Sequence, residues 1–279
     1  MTVAPVTSPA TGIRSRLLDR QTWLTWGFTG RIARMGAAEG NVSYSGGRDR
    51  ADAWEMRQQW LAPLGLDADQ IVSTGQVHGS DVLRVEASDA GRGAQPESPV
   101  AGIADALMTD HAGPVLFSLH ADCLPILLAD PVRRAVAVAH AGWRGTVSDV
   151  AGSAVWAMVD AYGSDPADLV AFLGPSMAGA DYEVGPEVVD AWVALAGAPG
   201  DAAWPGRDDR WQFDTATANR DRLLAAGLRQ DHIEASGICT YRNADRWFSH
   251  RAQGPATGRF AAMIAINEPE SSQNREQDR

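Results

Sequence analysis

Short apolar runs alternate with amphipathic stretches along this chain, and the spacing of the apolar positions predicts most of its elements. Trp23, Trp26 and Phe28 mark a first strand, followed by a Gly-rich loop from Gly30 to Gly47 that contains Asn41 and Ser43. A loop that long inside a compact domain is more often functional than not. Ala53, Met56, Trp60 and Leu64 then recur at helical spacing over residues 49 to 64, with Asp49 as the N-cap. A short strand is expected near Ile71 to Ser73, another in V-L-R-V-E, and a surface loop over the Gly-, Pro- and Ser-rich residues 87 to 102. Residues 115 to 147 hold two apolar runs that read as buried strands. Behind them the stripe Val150, Ala154, Met158 and Tyr162 predicts a helix from about Val147 to Tyr162, capped by Thr146. L-V-A-F-L-G-P reads as a strand, Pro186 to Leu195 as a helix stopped at Gly197, and Thr215 to Ala226 as a helix stopped at Gly227. I-E-A-S-G-I-C-T-Y and F-A-A-M-I-A-I complete the strands. Interleaved strands and helices without a repeat or linker predict an α/β-type fold in one domain.

The stretch 115 to 147 is unusual because His120, Asp122, Cys123, His140 and Arg144 interrupt or end its apolar runs. Burying a neutral polar group without a partner costs roughly 2–7 kcal/mol, so such groups need a reason to be there. His140 ends the run A-V-A-V-A and is followed by A-G-W, a position where α/β folds build sites. His78 sits in G-Q-V-H-G. Two imidazoles and a thiolate form a three-ligand set for zinc that leaves a fourth position open. The same residues also suit a metal-free site, with Cys123 as nucleophile, His140 or His78 as base and Asp122 as orienter. Nothing in the spacing separates these readings, nor excludes that each histidine is simply a hydrogen-bonded core residue. His120, inside L-F-S-L-H-A, fits that structural role best, and Asp122 is placed to orient a ligand from behind. Arg144, beside an expected helix N-terminus, suits a phosphate, although a bracing role accounts for it equally. Arg31 and Asn41 in the early loop are further candidates for binding substrate or phosphate.

Composition narrows the partners. A formal charge of −11 and a pI near 4.9 argue against nucleic acid or an anionic membrane, so a bound phosphate must meet a local group of arginines. Cys123 and Cys239 are too few for a disulfide scaffold and fit a reducing compartment. No start resembles a signal peptide and no run approaches the ~20 apolar residues of a membrane span, so a cytoplasmic location is expected. Residues 1–15 and 268–279 read as disordered tails around a single domain over 16–267.

Q-V-H-G-S-D, D-A-L-M-T-D, A-D-C-L-P-I-L-L-A-D-P and H-A-G-W-R-G-T occur in order, followed by F-L-G-P-S, Y-E-V-G, G-I-C-T and F-S-H-R. In these motifs the chain resembles the YfiH-like family, also described as laccase-domain or multicopper polyphenol oxidoreductase proteins. The resemblance covers roughly residues 23 to 266. It implies an α/β (α+β) domain with β-sheets sandwiched between helices, and a zinc held by His78, Cys123 and His140. It further implies phosphorolysis of adenosine, inosine, guanosine or methylthioadenosine and deamination of adenosine, with Arg31 and Arg144 matching the family's site arginines. Zinc can lower the pKa of water for attack on the adenine ring, and zinc with arginines can hold the attacking phosphate. Two departures stand out. T-G-R-I-A-R-M-G leaves open whether Arg31 or Arg34 faces the site, and His250 stands where the family carries a tyrosine. The alternatives are a copper-dependent polyphenol oxidase, a cysteine hydrolase of cell-wall precursors and a non-catalytic nucleotide sensor.

Overall fold

The computed structural model describes residues 12–45 and 48–268. Its elements run β1 (Leu24–Phe28), α1 (Arg50–Leu61), β2 (Ile71–Val72), β3 (Val82–Arg84), β4 (Ala106–Thr109), β5 (Val115–His120), β6 (Leu124–Asp130) and β7 (Ala135–Ala141). They continue with α2 (Trp143–Val147), α3 (Val150–Tyr162), β8 (Val170–Leu173), β9 (Glu183–Val184) and α4 (Pro186–Ala196). The remainder is β10 (Ala203–Pro205), β11 (Trp211–Phe213), α5 (Thr215–Ala225), β12 (Ile233–Ala235), α6 (His250–Gln253) and β13 (Phe260–Ile266).

Two sheets dominate, one of four strands in the order β1-β13-β5-β2 and one of six in the order β12-β8-β6-β7-β4-β3, while β10-β11-β9 form a third, small sheet. Strand alternation shows how the large sheets stack. Along β7, Ala135, Ala137, Ala139 and Ala141 face α3 and α5, whereas Val136 and Val138 join a core with Phe28, Leu116 and Phe260 of the four-stranded sheet. The opposite face of that sheet, through Phe117 and Met263, packs on Met56 and Trp60 of α1. The result is helix, sheet, sheet, helix, the expected arrangement of sheets between helices, built because each strand carries two apolar faces to cover. Alanine on the helix side of β7, facing Ala151 and Ala154, keeps the backbones close.

Several expectations need correction. The stretch 115 to 147 holds three strands, not two. β5 belongs to the four-stranded sheet and β6 and β7 to the six-stranded one, so Ala121, Asp122 and Cys123 carry the chain from one sheet to the other. The helix expected from about Val147 to Tyr162 is α3, which begins at Val150, while Val147 ends the separate short α2. Asp149, in left-handed conformation at φ 64°, caps α3 by accepting from Gly152 N, while Thr146 is buried and its hydroxyl accepts from Asn219 Nδ2. The loop 87 to 102 is not wholly surface, since Ala94 is buried and the carbonyls of Gly93 and Ala94 accept from Arg57. Only Ile233–Ala235 of the expected strand at 233 to 241 is extended. The N-terminal tail ends earlier than expected: Ile13 joins the core and the buried Ser15 hydroxyl donates to Glu234. Residues 1–11 and 269–279 of the two expected tails lie outside the described residues. Asp49 caps α1 as expected, accepting from the Ala51 and Asp52 amides. Among the described residues no helix is long and apolar enough to cross a membrane.

Candidate active site

His140 lies on the face of β7 shared by Val136 and Val138, which looks into the space between the sheets at the end where the strand stops. Its Nδ1 lies 2.9 Å from Asp105 Oδ1, and its backbone amide donates to the Asp105 carbonyl at 2.7 Å. The acceptor is a carboxylate, so Nδ1 carries the proton and Nε2 is left as the ligand atom. Asp105 is buried, and its carboxylate also accepts the amides of Val77 at 3.1 Å, His78 at 3.0 Å and Gly79 at 2.7 Å. Those bonds hold the β2–β3 connection in a tight turn with His78 at φ 62°, a left-handed backbone uncommon for a residue with a Cβ. One carboxylate thus places both imidazoles.

Cys123 enters from the sheet-crossing segment, where Asp122 also has positive φ, 86°. Its Sγ stands 3.9 Å from His78 Nε2, and one ligand atom from each of His78, Cys123 and His140 lies within 4.8 Å of the others. The floor between them is Gly142. A Cβ there would come within 2.8 Å of His78 Cδ2 and 3.1 Å of Cys123 Sγ, so the cradle exists only with glycine. We expect Gly142→Ala, whose backbone at φ −75° tolerates alanine, to leave the fold intact and displace the exposed His78 ring. Metal affinity should fall about tenfold, measured by competition with a chromophoric chelator.

Electrostatics match a thiolate ligand. Burial opposes ionisation of Cys123, but the adjacent His140 and His78 outweigh it and bring the thiol to about 6. Burial likewise opposes charge on His140, yet the thiolate and Asp105 raise it to about 9. His120 is different. Its Nε2 meets Ser118 Oγ at 2.7 Å, its Nδ1 meets the Cys123 carbonyl at 3.2 Å, and it stacks on Phe260. Burial holds it well below the ordinary imidazole range, so it supports the Cys123 loop as a neutral side chain.

The cluster opens into a cavity of about 750 Å³. Arg50, Arg57, Arg144, Arg251 and Arg259 line it, against Asp122 as the acidic residue of its wall. Asp122 does not orient a cluster histidine. Its carboxylate accepts from Thr240 Oγ1 and the Arg251 amide, both at 2.7 Å, tying the segment before α6 to the Cys123 loop. Arg144 does line the cavity, with its guanidinium 4.3 Å over the Trp143 ring. Arg31 does not: Glu39 and the Ala244 carbonyl hold it, and Arg34 is exposed outside the wall. Asn41 is buried and also outside the wall, bonded to both amide and carbonyl of Ser43 and to the Arg259 amide, which makes it a brace for two residues that do line the cavity.

Sequence reasoning passed over Asp105, Tyr182, Arg57, Arg251 and Arg259. Asp105 and Tyr182 open the motifs D-A-L-M-T-D and Y-E-V-G and were visible there, without a role. Tyr182 lines the cavity, and burial, reinforced by the Cys123 thiolate, pushes its phenol up to about 12, so it stays protonated. His250, at the start of α6, lines the cavity.

A family model described as Multi-copper polyphenol oxidoreductase laccase matches residues 26–267. The chain is 34% identical over 266 residues to Purine nucleoside phosphorylase YlmD of Geobacillus stearothermophilus, covering 90% of this chain and 96% of that one. It is 38% identical to Purine nucleoside phosphorylase ORF3 of Streptomyces griseus, covering 86% and 93%. Among solved structures, YfiH of Bacillus licheniformis superposes with a TM-score of 0.85 at 28% identity, covering 90% and 96%. YlmD of Geobacillus stearothermophilus superposes at 0.84 with 32% identity, covering 89% and 93%.

Proposed function

Because this chain belongs to the multi-copper polyphenol oxidoreductase laccase family, and its relatives bear the name purine nucleoside phosphorylase, we propose that it cleaves purine nucleosides with phosphate and also deaminates adenosine. The reading places one zinc on His78, Cys123 and His140 within a single catalytic domain over residues 16–267. Its main support is the convergence of those three ligand atoms, within 4.8 Å, in an arginine-lined cavity of a protein whose overall charge is −11. The donor set fits: one thiolate and two imidazoles leave a fourth position, and Gly142 keeps the space between them clear. Zinc, when bound, supplies a Lewis acid and lowers the pKa of water.

The chain's own groups do the rest. Asp105 fixes the ligand tautomer of His140 and the turn that presents His78. Arg144 and Arg251 bring positive charge to the wall of the cavity, which favours anionic groups there and offsets the negative charge that develops in the reaction. In phosphorolysis a phosphate oxygen bonds to C1′ of the ribose while the bond from C1′ to the purine nitrogen breaks, its electron pair leaving with the base. Trp143 and Tyr182 offer aromatic faces beside the cluster for a planar base, and Tyr182 keeps a hydroxyl proton to donate.

Zinc-loaded protein incubated with adenosine and phosphate should release adenine and ribose 1-phosphate, or inosine when phosphate is omitted, and Cys123→Ala should abolish both. Absence of base and inosine, with Cys123→Ala changing nothing, sinks the reading. The family description favours a second reading, copper-dependent oxidation. A thiolate with two imidazoles can bind copper, yet His120 is already committed to Ser118 and the Cys123 carbonyl and His232 to the Leu169 carbonyl, leaving few imidazoles for a multinuclear centre. Intense visible absorption with polyphenol turnover after copper loading would establish it. Activity that survives chelation but not thiol alkylation would instead reveal a cysteine hydrolase.

A further inference from the structure

The cavity has two lobes, set by the four-stranded sheet. His140 looks into the space between the sheets. Arg57 and Tyr44 lie on the other face, where the Arg57 guanidinium is 4.0 Å over the Tyr44 ring and 5.0 Å over Phe117, a residue packed toward α1. Ser73, Thr74, Gln76, Leu119 and Ala121, from the ends of β2 and β5, line the wall that joins the lobes.

The second lobe is built for an anion. Arg57 is 1% exposed, and its hydrogen-bond partners among the described residues are carbonyls rather than carboxylates. Its Nε donates to the Val42 carbonyl at 2.8 Å and its Nη1 to those of Gly93 and Ala94 at 2.7 and 2.8 Å, leaving Nη2 without a partner among the described residues, and the residue lines the cavity. Burying a guanidinium with no counter-charge is costly, and carbonyl dipoles offset only part of that cost. Arg259 repeats the pattern. Its Nη1 is held by the Thr257 and Gly258 carbonyls, both at 2.8 Å, while Nε and Nη2 have no partner among the described residues. Burial and the neighbouring Arg48 work against its charge, and Cys123 and Asp122 favour it. Hydroxyls accompany them in the lining: Ser43 and Ser45 lie 2.8 Å apart and Ser73 donates to the Gly93 carbonyl, alongside Arg50, Pro96 and Val100. Arg259 keeps a two-nitrogen edge, Nε and Nη2, and Arg57 keeps Nη2, a donor set that matches the oxygens of a phosphate.

We infer that this lobe is a phosphate subsite in which Arg57 and Arg259, neither of them a member of the His78–Cys123–His140 cluster, bind either inorganic phosphate or the phosphate of a phosphorylated nucleoside. The inference rests on the nucleoside-cleaving reading for the occupant of the other lobe, but its test does not. Calorimetric titration of metal-loaded protein with inorganic phosphate and, separately, adenosine 5′-monophosphate measures binding without turnover. Arg259→Gln should weaken the ligand that occupies the lobe at least ~10-fold, as expected for losing a charge-assisted pair. Arg57→Lys keeps the charge but loses the carbonyl-held guanidinium that presents Nη2 and should also weaken it, with the circular dichroism spectrum unchanged. If phosphate and adenosine bind together without competition, the lobe holds the co-substrate. If the monophosphate binds at least tenfold more tightly than adenosine and free phosphate displaces it, the lobe reads a phosphorylated substrate. Phosphate and monophosphate affinities that ignore both substitutions overturn the subsite, even if adenosine is cleaved. Arginine-dependent binding without any cleavage leaves the subsite standing and removes the proposed reaction.

Discussion

Replacing Asp105 by asparagine should weaken metal binding at the proposed His78–Cys123–His140 site and remove a large part of the protein's stability. The carboxylate takes four hydrogen bonds, one from the His140 ring and three from the amides of Val77, His78 and Gly79. Asparagine has the same shape but only one acceptor oxygen, and its amide group would point N–H toward N–H. Each buried donor left without a partner costs ~1–3 kcal/mol, so a loss of about 2–4 kcal/mol is expected in denaturant unfolding of the metal-free protein. Released from the carboxylate, the His140 ring loses its fixed tautomer and His78 its left-handed turn. Zinc affinity should then fall about 10–100-fold. A variant with wild-type stability and affinity would show that the turn is held by packing alone. The wild-type carboxyl also makes stability fall in acid. Burial works against its charge, but the bonds from His140 and the Gly79 and Val77 amides outweigh burial and hold it below the ordinary carboxyl range. A depressed folded-state value means stability is present above the unfolded value and lost as pH drops through the folded one.

Metal binding should be steeply proton-coupled, with an effect larger still across the accessible pH range. Between about pH 6, where the Cys123 thiol ionises, and about pH 9, where His140 gives up its proton, the pair holds one proton on the imidazole. Zinc needs Nε2 of His140 free and the thiolate formed. Binding in that window therefore releases one proton from this pair, and apparent affinity rises about tenfold per pH unit. Below about 6 both protons must leave, and the slope from this pair doubles. Zinc titrations in buffers of different ionisation enthalpy count the protons directly. A count near zero from pH 6.5 to 8.5 would mean that thiol and imidazole do not share the proton in the metal-free protein.

The legible parts of this fold were those decided by neighbours in sequence. Asp49 as a cap, Pro186 opening α4 and Gly197 closing it act within one turn of chain, and the structure keeps each. The three-ligand set came from the motifs around His78, Cys123 and His140, and the structure brings those atoms together. What remained hidden depends on pairing at a distance. Nothing in A-D-A-L-M-T-D says that its first carboxylate reaches back 27 residues to the His78 amide. Val115–His120 and Leu124–Asp130 look alike as apolar runs, and only strand pairing assigns them to different sheets. Arg31 lies in a loop that suggests a ligand, but local partners claim it. Arg57 read as one position of a packing helix, and only the burial of its guanidinium against three carbonyls marks it out.

The placement of Cys123 on a sheet-crossing segment bears on the order of assembly. His78 also sits on a connection from the four-stranded sheet to the six-stranded one, and His140 ends a strand of the latter. The three donors can meet only once the sheets have closed on each other, so an ion at that junction works as a clasp on a finished sandwich. By mass action it deepens the native basin alone, by about 4 kcal/mol at a thousandfold excess over its dissociation constant. Half-docked chains gain nothing from it.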